Sequence, residues 1–382
     1  MDFTIRKKLP HIPESIYPVM TALAIKHNAI NLAQGFPGYG VDEELMQLVN
    51  KYMLLGKNQY APMMGVPELR SHLADKMEEL YGYVYDPNTE ICVTAGATQG
   101  IFTAVSTIIH KGDEVIIIDP AFESYEPVIK FNGGKVKRSP LKPVTFEIDW
   151  EDIQSKVTKK TRMLIVNTPQ NPTGKVFTIE DIQKLRKIVA NTNIIILSDE
   201  VYEHIVFDGN KHESIAKYPD LAERSFIVYS LGKTYHITGW RMGYVCAPKE
   251  LMKEFVCAHQ YQVYSVPTPL QHAISEYILK KEKYLELPQF FQEKRDFFLK
   301  CIEGSKFIPA PCSGSYFQLL NYSAITQEND VDFAKRLTVE NKVASIPISL
   351  FYENKRQDNM LRFCFAKDLE DLERGAEKLH AF

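Results

Sequence analysis

The chain has 382 residues, of which 45% are hydrophobic and 24% are charged, and its formal net charge at pH 7 is −3. This composition is typical of a folded globular protein with two or three domains, so it excludes intrinsic disorder for most of the chain. The small negative charge gives no electrostatic reason to expect a nucleic-acid-binding protein, and the densest basic run, 156–162, contains no aromatic residue.

The amino-terminal sequence predicts neither a secretory signal nor a membrane anchor. Its first residues, MDFTIRKKLPHIPES, carry early positive charge with no apolar stretch after it. The longest apolar runs have the length of a strand, well below the ~20 residues of a membrane-spanning helix. The six cysteines are scattered without a CxxC pair, and several lie in apolar runs. We therefore expect free thiols in a cytoplasmic protein.

From about residue 90, short β-branched runs alternate with helical patterns. The strands are predicted over 91–94, 114–119, 162–167, 194–199, 225–230 and 243–247. A helix is predicted to follow the first of these strands, and another begins at Ile179 with Thr178 as its N-cap. This alternation favours an α/β fold, in which helices cover both faces of a mostly parallel sheet. Ligands of such sheets bind at the carboxyl ends of the strands.

From about residue 281 the pattern changes to that of a smaller α+β domain. A long amphipathic pattern over 281–303 predicts a helix, and strands are predicted near 316–320 and 361–366, before a closing helix from Asp368. We expect three parts in the chain: an amino-terminal segment, 1–40, that belongs to the small domain, a large domain, 41–280, and a small carboxyl-terminal domain, 281–382.

A lysine in a glycine turn follows one of the buried strands, in the segment Ser230-Leu231-Gly232-Lys233-Thr234. The letters GKT resemble the end of a P-loop, but that motif needs a glycine where this chain has Ile227, so an ATPase is disfavoured. A glycine and a lysine alone are typical of a surface turn. Ser230 at the strand end and Arg241 soon after favour a different interpretation. Together with Lys233 they suit an anionic phosphate with an electrophilic carbonyl beside it.

Four segments, taken together, resemble the class I branch of the fold-type I aminotransferases that depend on pyridoxal 5′-phosphate. They are SLGKTYHITGWRMGY, NTPQNPTG, SDEVY and LRF, and the resemblance covers essentially the whole chain. It places Lys233 at the position of the Schiff-base lysine. It also implies the fold of that family, a mostly parallel sheet of the seven-stranded type between helices, with the cofactor on the large domain and a smaller α+β domain beside it.

The resemblance gives several residues a role toward the cofactor. Asp199, a carboxylate at the end of an apolar strand, needs a partner, and the resemblance makes that partner the pyridine nitrogen. Asn171 and Tyr202 would donate to the phenolic oxygen, and Phe122 would stack on the ring. The phosphate would lie at a helix amino terminus, in a cup formed by Gly96, Ala97, Thr98, Ser230 and Arg241. Without the resemblance, Asp199 and Thr98 would be interpreted as helix caps and Phe122 as a core residue.

Arg362 lies between apolar residues, where a guanidinium needs an anion. A bidentate bond to a substrate carboxylate suits its geometry, and an ion pair with a carboxylate of the protein would explain it equally well without the resemblance. The resemblance adds Gly35, Asn171 and Tyr17 to the substrate site. It also implies that Tyr60 reaches the phosphate of a neighbouring subunit, and hence a homodimer with shared active sites.

The substrate is predicted from a finer resemblance, to the group of methionine aminotransferases and kynurenine/glutamine transaminases, through segments such as GFPGYG, NQYAP and LRFCFAK. The side-chain pocket of that group is aromatic and neutral, and Tyr17, Phe36, Tyr60 and Tyr264 are the candidates here. Segment 259–270 has no arginine, which disfavours dicarboxylic donors, and Ser265 replaces a histidine of the kynurenine-type relatives. We therefore expect ping-pong transfer from methionine, and secondarily from aromatic amino acids, to a 2-oxo acid, with Lys233 as general base.

Two other enzymatic activities and one regulatory function are alternatives. The same scaffold supports kynurenine or glutamine transamination and carbon–sulfur β-lyase activity on cysteine conjugates. The transcription regulators that contain an aminotransferase-like domain carry an additional amino-terminal DNA-binding domain. The aminotransferase pattern of this chain begins within its first few tens of residues, so a regulator is disfavoured. The predicted ligands are the cofactor, an amino acid and a 2-oxo acid, without a metal, nucleic acid or membrane.

Overall fold

The computed structural model describes residues 4–382. Its α-helices, numbered in chain order, are α1 Ile16–His27, α2 Glu43–Leu54, α3 Pro67–Tyr81, α4 Gly96–Ile108, α5 Tyr125–Phe131, α6 Trp150–Lys156, α7 Ile179–Val189, α8 Pro219–Ala222, α9 Leu231–Thr234, α10 Lys249–Gln262, α11 Thr268–Tyr277, α12 Glu282–Leu285, α13 Leu287–Cys301, α14 Asp330–Glu340 and α15 Leu369–Leu379. Its strands are β1 Ile30–Asn31, β2 Ile91–Thr94, β3 Glu114–Asp119, β4 Lys135–Pro140, β5 Thr161–Asn167, β6 Ile195–Asp199, β7 Ser225–Tyr229, β8 Gly243–Cys246, β9 Ile308–Pro309, β10 Phe317–Asn321, β11 Val343–Ala344, β12 Ile346–Pro347 and β13 Met360–Cys364.

A seven-stranded sheet forms the centre of the large domain, with the strand order β2-β8-β7-β6-β5-β3-β4. Strand β8 is antiparallel to both of its neighbours, β2 and β7, and the other pairs in the sheet are parallel. The predicted mostly parallel sheet of an α/β fold is thus confirmed. Strand β4 was not predicted, because its sequence KVKRSP is polar and lies at the edge of the sheet.

Both faces of this sheet are buried, which explains the continuous apolar runs of its strands. In β5, Met163 and Ile165 belong to one hydrophobic cluster, and Leu164 and Val166 belong to the other. Helix α4 packs against β7, β8 and α10 on one of the two faces. Because successive side chains of a strand point to opposite faces, a strand covered on both sides needs apolar residues at every position.

Helix α7 begins as the sequence predicts, at the N-cap Thr178. The Asp181 amide donates to the Thr178 hydroxyl over 3.2 Å, and the Asp181 carboxylate accepts from the Thr178 amide over 2.9 Å. Trp150 Nε1 donates to the same carboxylate over 2.8 Å. Asp181 therefore completes a capping box and also links α7 to the start of α6.

Helix α4 begins at Gly96 with Ala95 at the cap position, so Thr98 lies in the first turn of the helix. One local prediction about helices is wrong. The pattern over 281–303 forms two helices, α12 and α13, rather than one. Pro288 lies in the first turn of α13, and since proline has no amide hydrogen, it cannot continue a helix that began earlier.

The amino-terminal segment packs with the carboxyl-terminal part of the chain. Strand β1 pairs in parallel with β11, and α1 packs against α14. Strands β12, β13, β10 and β9 form an antiparallel sheet in that order. These contacts support the proposed assignment of 1–40 to the small domain of 281–382, beside a large domain of 41–280.

Other features of the described chain concern its surface and its thiols. Within residues 4–382, no helix has both the length and the apolar character that crossing a membrane requires. All six cysteines are free, and Cys92, Cys246 and Cys364 are buried.

Candidate active site

A cavity of about 310 Å³ lies at the carboxyl ends of β5, β6 and β7, as the sheet rule predicts. Most of the residues singled out in the sequence line it. They are Tyr17, Gly35, Ala97, Thr98, Phe122, Asn171, Asp199, Tyr202, Ser230, Lys233, Arg241 and Arg362. Elements of both proposed domains and of the amino-terminal segment thus contribute side chains to one cavity.

Lys233 is held in this cavity by the short helix α9 and by two oxygen atoms from other parts of the chain. Its amide donates to the Ser230 hydroxyl over 3.2 Å, which fixes the helix start. Its Nζ donates to the Gly35 carbonyl over 2.9 Å and to the Tyr316 hydroxyl over 2.5 Å. Burial lowers the pKa of Lys233 to about 8, because the charged amine loses its water. Near neutral pH a minority of the amine is therefore neutral, a much larger fraction than in an exposed lysine.

Asp199 ends strand β6 and is almost fully buried. The Tyr125 hydroxyl donates to its Oδ2 over 2.6 Å, and the Val201 amide donates to its Oδ1 over 3.3 Å. Burial raises the pKa of Asp199 to about 6, although the Tyr125 hydrogen bond opposes the shift. The protein itself thus supplies neutral donors to Asp199, which is a buried carboxylate that the cationic pyridine nitrogen expected from the sequence would stabilise.

Arg362, on β13, is 1% exposed and contacts neutral oxygen atoms. Its Nη1 donates to the Tyr17 hydroxyl over 3.0 Å and to Asn171 Oδ1 over 2.8 Å, and its Nη2 donates to the Ala33 carbonyl over 3.0 Å. Its Nε is buried without a hydrogen-bond partner. The ion pair with a protein carboxylate, considered from the sequence, is absent among these contacts. The guanidinium is therefore a buried cation with capacity for an anion.

The amino terminus of α4 forms the opposite end of the cavity, with Arg241 beside it. Gly96 has a φ of +75°, and a Cβ there would lie 2.6 Å from Arg241 Nη2, so only glycine allows the guanidinium to lie so close. Arg241 Nη1 donates to the Thr238 carbonyl over 3.0 Å. Ala97 and Thr98, in the first turn of α4, and Ser230 complete this end. Free amides, hydroxyls and a cation together form a site suited to a phosphate.

Five charged side chains line the cavity, and the hydrogen bonds they make are to neutral groups. They are Glu123, Asp199, Lys233, Arg241 and Arg362. Asp199 and Arg362 are buried, Glu123 and Lys233 are half-buried, and Arg241 is exposed. Because buried charges need partners, this arrangement suits a ligand with several charges.

Three of the predicted aromatic pocket residues do not line the cavity of this chain. Tyr60 is 83% exposed and its ring meets that of Tyr264, which is also exposed, at 5.3 Å. Phe36 is exposed as well, with Lys367 Nζ 4.2 Å from its ring centre. Of the four candidates only Tyr17 lies in the cavity, so the single chain does not form the aromatic side-chain pocket predicted from the sequence.

Sequence reasoning missed three residues of the site. Tyr125 holds Asp199, Tyr316 holds Lys233, and Glu123 lines the cavity beside Phe122. Glu123 and Tyr125 follow the carboxyl end of β3, and that position was a signal that could have found them. Tyr316 precedes β10 in an apolar run and resembles an ordinary core residue, so its sequence context gives no such signal.

Comparisons with known proteins agree with this geometry. The sequence model of the family "Aminotransferase class I and II" matches residues 27–379. The chain belongs to this aminotransferase family. It is 42% identical to the methionine aminotransferase of Escherichia coli (strain K12) over 375 residues, which cover 98% of this chain and 97% of that protein. It is 32% identical to kynurenine–oxoglutarate transaminase 1 of Homo sapiens over 411 residues, with 98% and 97% covered.

The fold comparison leads to the same family. The crystal structure of YbdL from Escherichia coli, for which a methionine aminotransferase function was identified, matches with a TM-score of 0.97 and 41% identity, covering 100% of both chains. The aminotransferase fold predicted from the sequence is thereby confirmed. Enzymes of this family depend on pyridoxal 5′-phosphate and act on amino acids and 2-oxo acids.

Proposed function

We propose that this aminotransferase binds pyridoxal 5′-phosphate in the cavity and transfers the amino group of methionine, and of aromatic or other neutral amino acids, to a 2-oxo acid by a ping-pong mechanism. The observation that carries the proposal is the half-buried Lys233 side chain, whose amine pKa is lowered by desolvation to about 8, in a cavity that also holds Asp199 and Arg362 without ionic partners.

The charged groups of the cavity fit this cofactor. The helix terminus with Arg241 and Ser230 suits the phosphate, and the carboxylate of Asp199 suits a protonated pyridine nitrogen. Asn171 accepts from Arg362 through Oδ1, which leaves its amide nitrogen to donate to the phenolic oxygen, together with Tyr202. Phe122 lines the same space and supplies a ring for stacking. When bound, pyridoxal 5′-phosphate supplies an electron sink for negative charge on the substrate Cα.

Lys233 would hold the cofactor through Nζ and, once displaced by the substrate amine, act as the general base. Its lowered pKa keeps a useful fraction of the amine neutral, so Nζ can take a proton from the substrate Cα and return one later. Tyr316 and the Gly35 carbonyl position Nζ. Positioning of this kind reduces the entropy cost of proton transfer.

Arg362 would bind the substrate carboxylate. The Tyr17 hydroxyl and Asn171 Oδ1 hold Nη1, so the planar fork is fixed before a substrate arrives. The unpaired Nε leaves hydrogen-bonding capacity for the carboxylate. The substrate then lies between Arg362 and Lys233, with its Cα near the base.

Methionine as the donor is supported by the relatives and by the charges of the cavity. The Escherichia coli relative at 42% identity is a methionine aminotransferase, whereas the human kynurenine transaminase is 32% identical. The three cations of the lining would bind the cofactor and one carboxylate, which leaves none for an acidic side chain. A neutral amino acid is therefore the preferred donor.

A homodimer would complete the site. Tyr60 and Tyr264 are exposed on the surface and touch each other, although the resemblance assigns them to an active site. If the aromatic pocket of one subunit includes residues of its partner, these two rings are available to supply it. We therefore propose a homodimer in which Tyr60 contacts the cofactor phosphate of the neighbouring subunit.

The test is a single-turnover assay on the purified protein loaded with cofactor. L-methionine, L-phenylalanine, L-kynurenine, L-glutamine and L-aspartate are added separately, and the absorbance of the bound cofactor is followed. Methionine should change it fastest, whereas a much faster change with aspartate would overturn the substrate assignment. Release of pyruvate and ammonia from a cysteine conjugate, without added 2-oxo acid, would show β-lyase activity instead.

A companion test examines Lys233 itself. Lys233→Ala should abolish turnover, because both the attachment point of the cofactor and the base are removed. Lys184→Ala, at an exposed position of α7, is the matched control and should leave turnover unchanged. Near-normal transamination by Lys233→Ala would contradict the assignment.

A further inference from the structure

We propose that Glu123 is a specificity-determining residue that disfavours amino acids with an anionic side chain by repelling their second carboxylate. This inference rests on the function proposed above and deepens it. It concerns a side chain to which neither the family resemblance nor the mechanism gives a role.

Glu123 is connected to the proposed carboxylate-binding arginine by a short series of contacts. The Ser15 hydroxyl lies 2.9 Å from each of the two Glu123 oxygens and donates to them. Ser15 also accepts from the Tyr17 amide over 3.3 Å, and the Tyr17 hydroxyl accepts from Arg362 over 3.0 Å. Glu123 therefore lines the same cavity as Arg362 and is connected to it through Ser15 and Tyr17.

The charges of the lining support a repulsive role. Lys233, Arg241 and Asp199 are assigned to the cofactor, and Arg362 is assigned to the carboxylate that every amino acid carries. Glu123 is the remaining charged group of the lining, and it is negative. A second carboxylate on the substrate would meet this charge without a cation to offset it, in a partly buried site where water screens the repulsion weakly.

A neutral side chain does not meet this repulsion. The Ser15 hydroxyl has one hydrogen to donate, whereas a carboxylate can accept about four hydrogen bonds. Glu123 therefore keeps acceptor capacity for a substrate amide or amine, and its charge has no effect on a thioether. The same residue thus separates acidic from neutral donors of similar size.

The competing explanation is that Glu123 only anchors the amino-terminal segment through Ser15. The two explanations can be distinguished, because anchoring depends on the hydrogen bond between Ser15 and Glu123, whereas repulsion depends on the negative charge of Glu123. Ser15→Ala removes the hydrogen bond and keeps the charge. Glu123→Gln keeps an acceptor for Ser15 and removes the charge.

The experiment measures the dissociation constants of succinate and butanoate, a dicarboxylate and a monocarboxylate of four carbons, by their effect on the absorbance of the cofactor-loaded enzyme. Glu123→Gln should lower the ratio of the succinate Kd to the butanoate Kd by about 10-fold or more. Glu123→Leu should do the same and serves if the first variant does not fold. Ser15→Ala should keep the wild-type ratio.

Glu126→Gln is the matched control. Glu126 lies three residues further on and pairs with Arg138 and Lys130, and it does not line the active-site cavity. It should keep the wild-type ratio as well. An unchanged ratio in Glu123→Gln and Glu123→Leu, or an equal change in Glu126→Gln, would overturn the role of Glu123. Failure of wild-type enzyme to bind butanoate or to turn over methionine would instead overturn the proposed function.

Discussion

Asp199 and Lys233 titrate far from their ordinary ranges because burial removes water from their charged forms. The pKa of Asp199 rises from 3.8 in the unfolded chain to about 6 in the folded protein. Above pH 6 the folded protein therefore contains a buried, ionised carboxylate, which is fully solvated in the unfolded chain. Its contribution to stability therefore falls as pH rises from 3.8 through 6. Below about pH 8 the fold carries the analogous cost of a charged Lys233, whose pKa falls from 10.5.

The first prediction concerns the stability of the cofactor-free protein. Asp199→Asn should raise its free energy of unfolding at pH 7.5 by roughly 2–3 kcal/mol, because the buried charge is gone. The same variant should lose transamination activity. The stability difference should shrink as pH falls from 6 toward 4, where the wild-type side chain gains its proton. Thermal unfolding across this pH range measures it, and a variant less stable than wild type at pH 7.5 would contradict the assignment.

The second prediction concerns the geometry of Arg362. Arg362→Lys keeps the charge but loses the planar fork that Tyr17 and Asn171 hold, so kcat/KM for methionine should fall about 100-fold. Butanoate binding should weaken in parallel. Arg336→Lys, in a surface ion pair with Glu328, should change neither quantity. Equal activity of the two variants would exclude Arg362 as the carboxylate-binding residue.

Sequence predicted the residues of the site better than their contacts. The sequence motifs predicted that Lys233, Asp199 and Arg362 lie in one site, because each of these residues follows a buried strand or lies in one. The neutral partners of these charges could not be predicted in the same way. Tyr316 reaches Lys233 from the other domain, 83 positions away in the sequence, and such a contact depends on how the domains pack rather than on local pattern.

At the scale of elements, local chemistry determined what could be predicted. The central strands were predicted within a residue or two because they are buried on both faces and therefore apolar throughout. The capping box of α7 can be predicted from the sequence because Thr178 and Asp181 lie three residues apart. The antiparallel direction of β8 cannot be predicted in this way, since a buried strand has the same composition in either direction.

The third prediction concerns the double role of Asp181. Asp181→Ala should lower the free energy of unfolding by about 2 kcal/mol, because the Thr178 amide loses its acceptor and Trp150 Nε1 is left unpaired. Glu180→Ala, at the neighbouring exposed position, should change it by less than about 0.5 kcal/mol. Denaturant unfolding of both variants measures the difference. A similar stability of the two variants would contradict the role given to the capping box.

At the scale of the molecule, the position of Tyr60 bears on how many chains make one active site. The cavity of a single chain contains the proposed groups for cofactor, base and carboxylate. Tyr60 lies outside it on the surface, so its proposed role requires a second subunit. An active site shared between two subunits predicts a behaviour of mixed dimers that a site within one chain does not.

The fourth prediction is the recovery of activity in mixed dimers. Lys233→Ala and Tyr60→Ala chains should each have low activity. A mixed dimer of the two should regain one intact site, with Lys233 from one chain and Tyr60 from the other, and hence about half of the wild-type activity per dimer. If Tyr60 acted within its own chain, mixing would restore nothing. Mixtures of Lys233→Ala with Lys233→Arg are the control and should stay inactive.

The neighbouring positions of β5, β6 and β7 in the sheet have one more consequence. Adjacent strands lie about 4.8 Å apart because backbone hydrogen bonds fix that distance. Asn167 is paired with Asp199 at the ends of β5 and β6, so the main chain fixes the spacing of these two residues, and Ser230 directly follows the end of β7. Substitutions of other side chains leave this spacing unchanged. The spacing of these functional residues can therefore stay the same while the residues of the substrate pocket change during evolution.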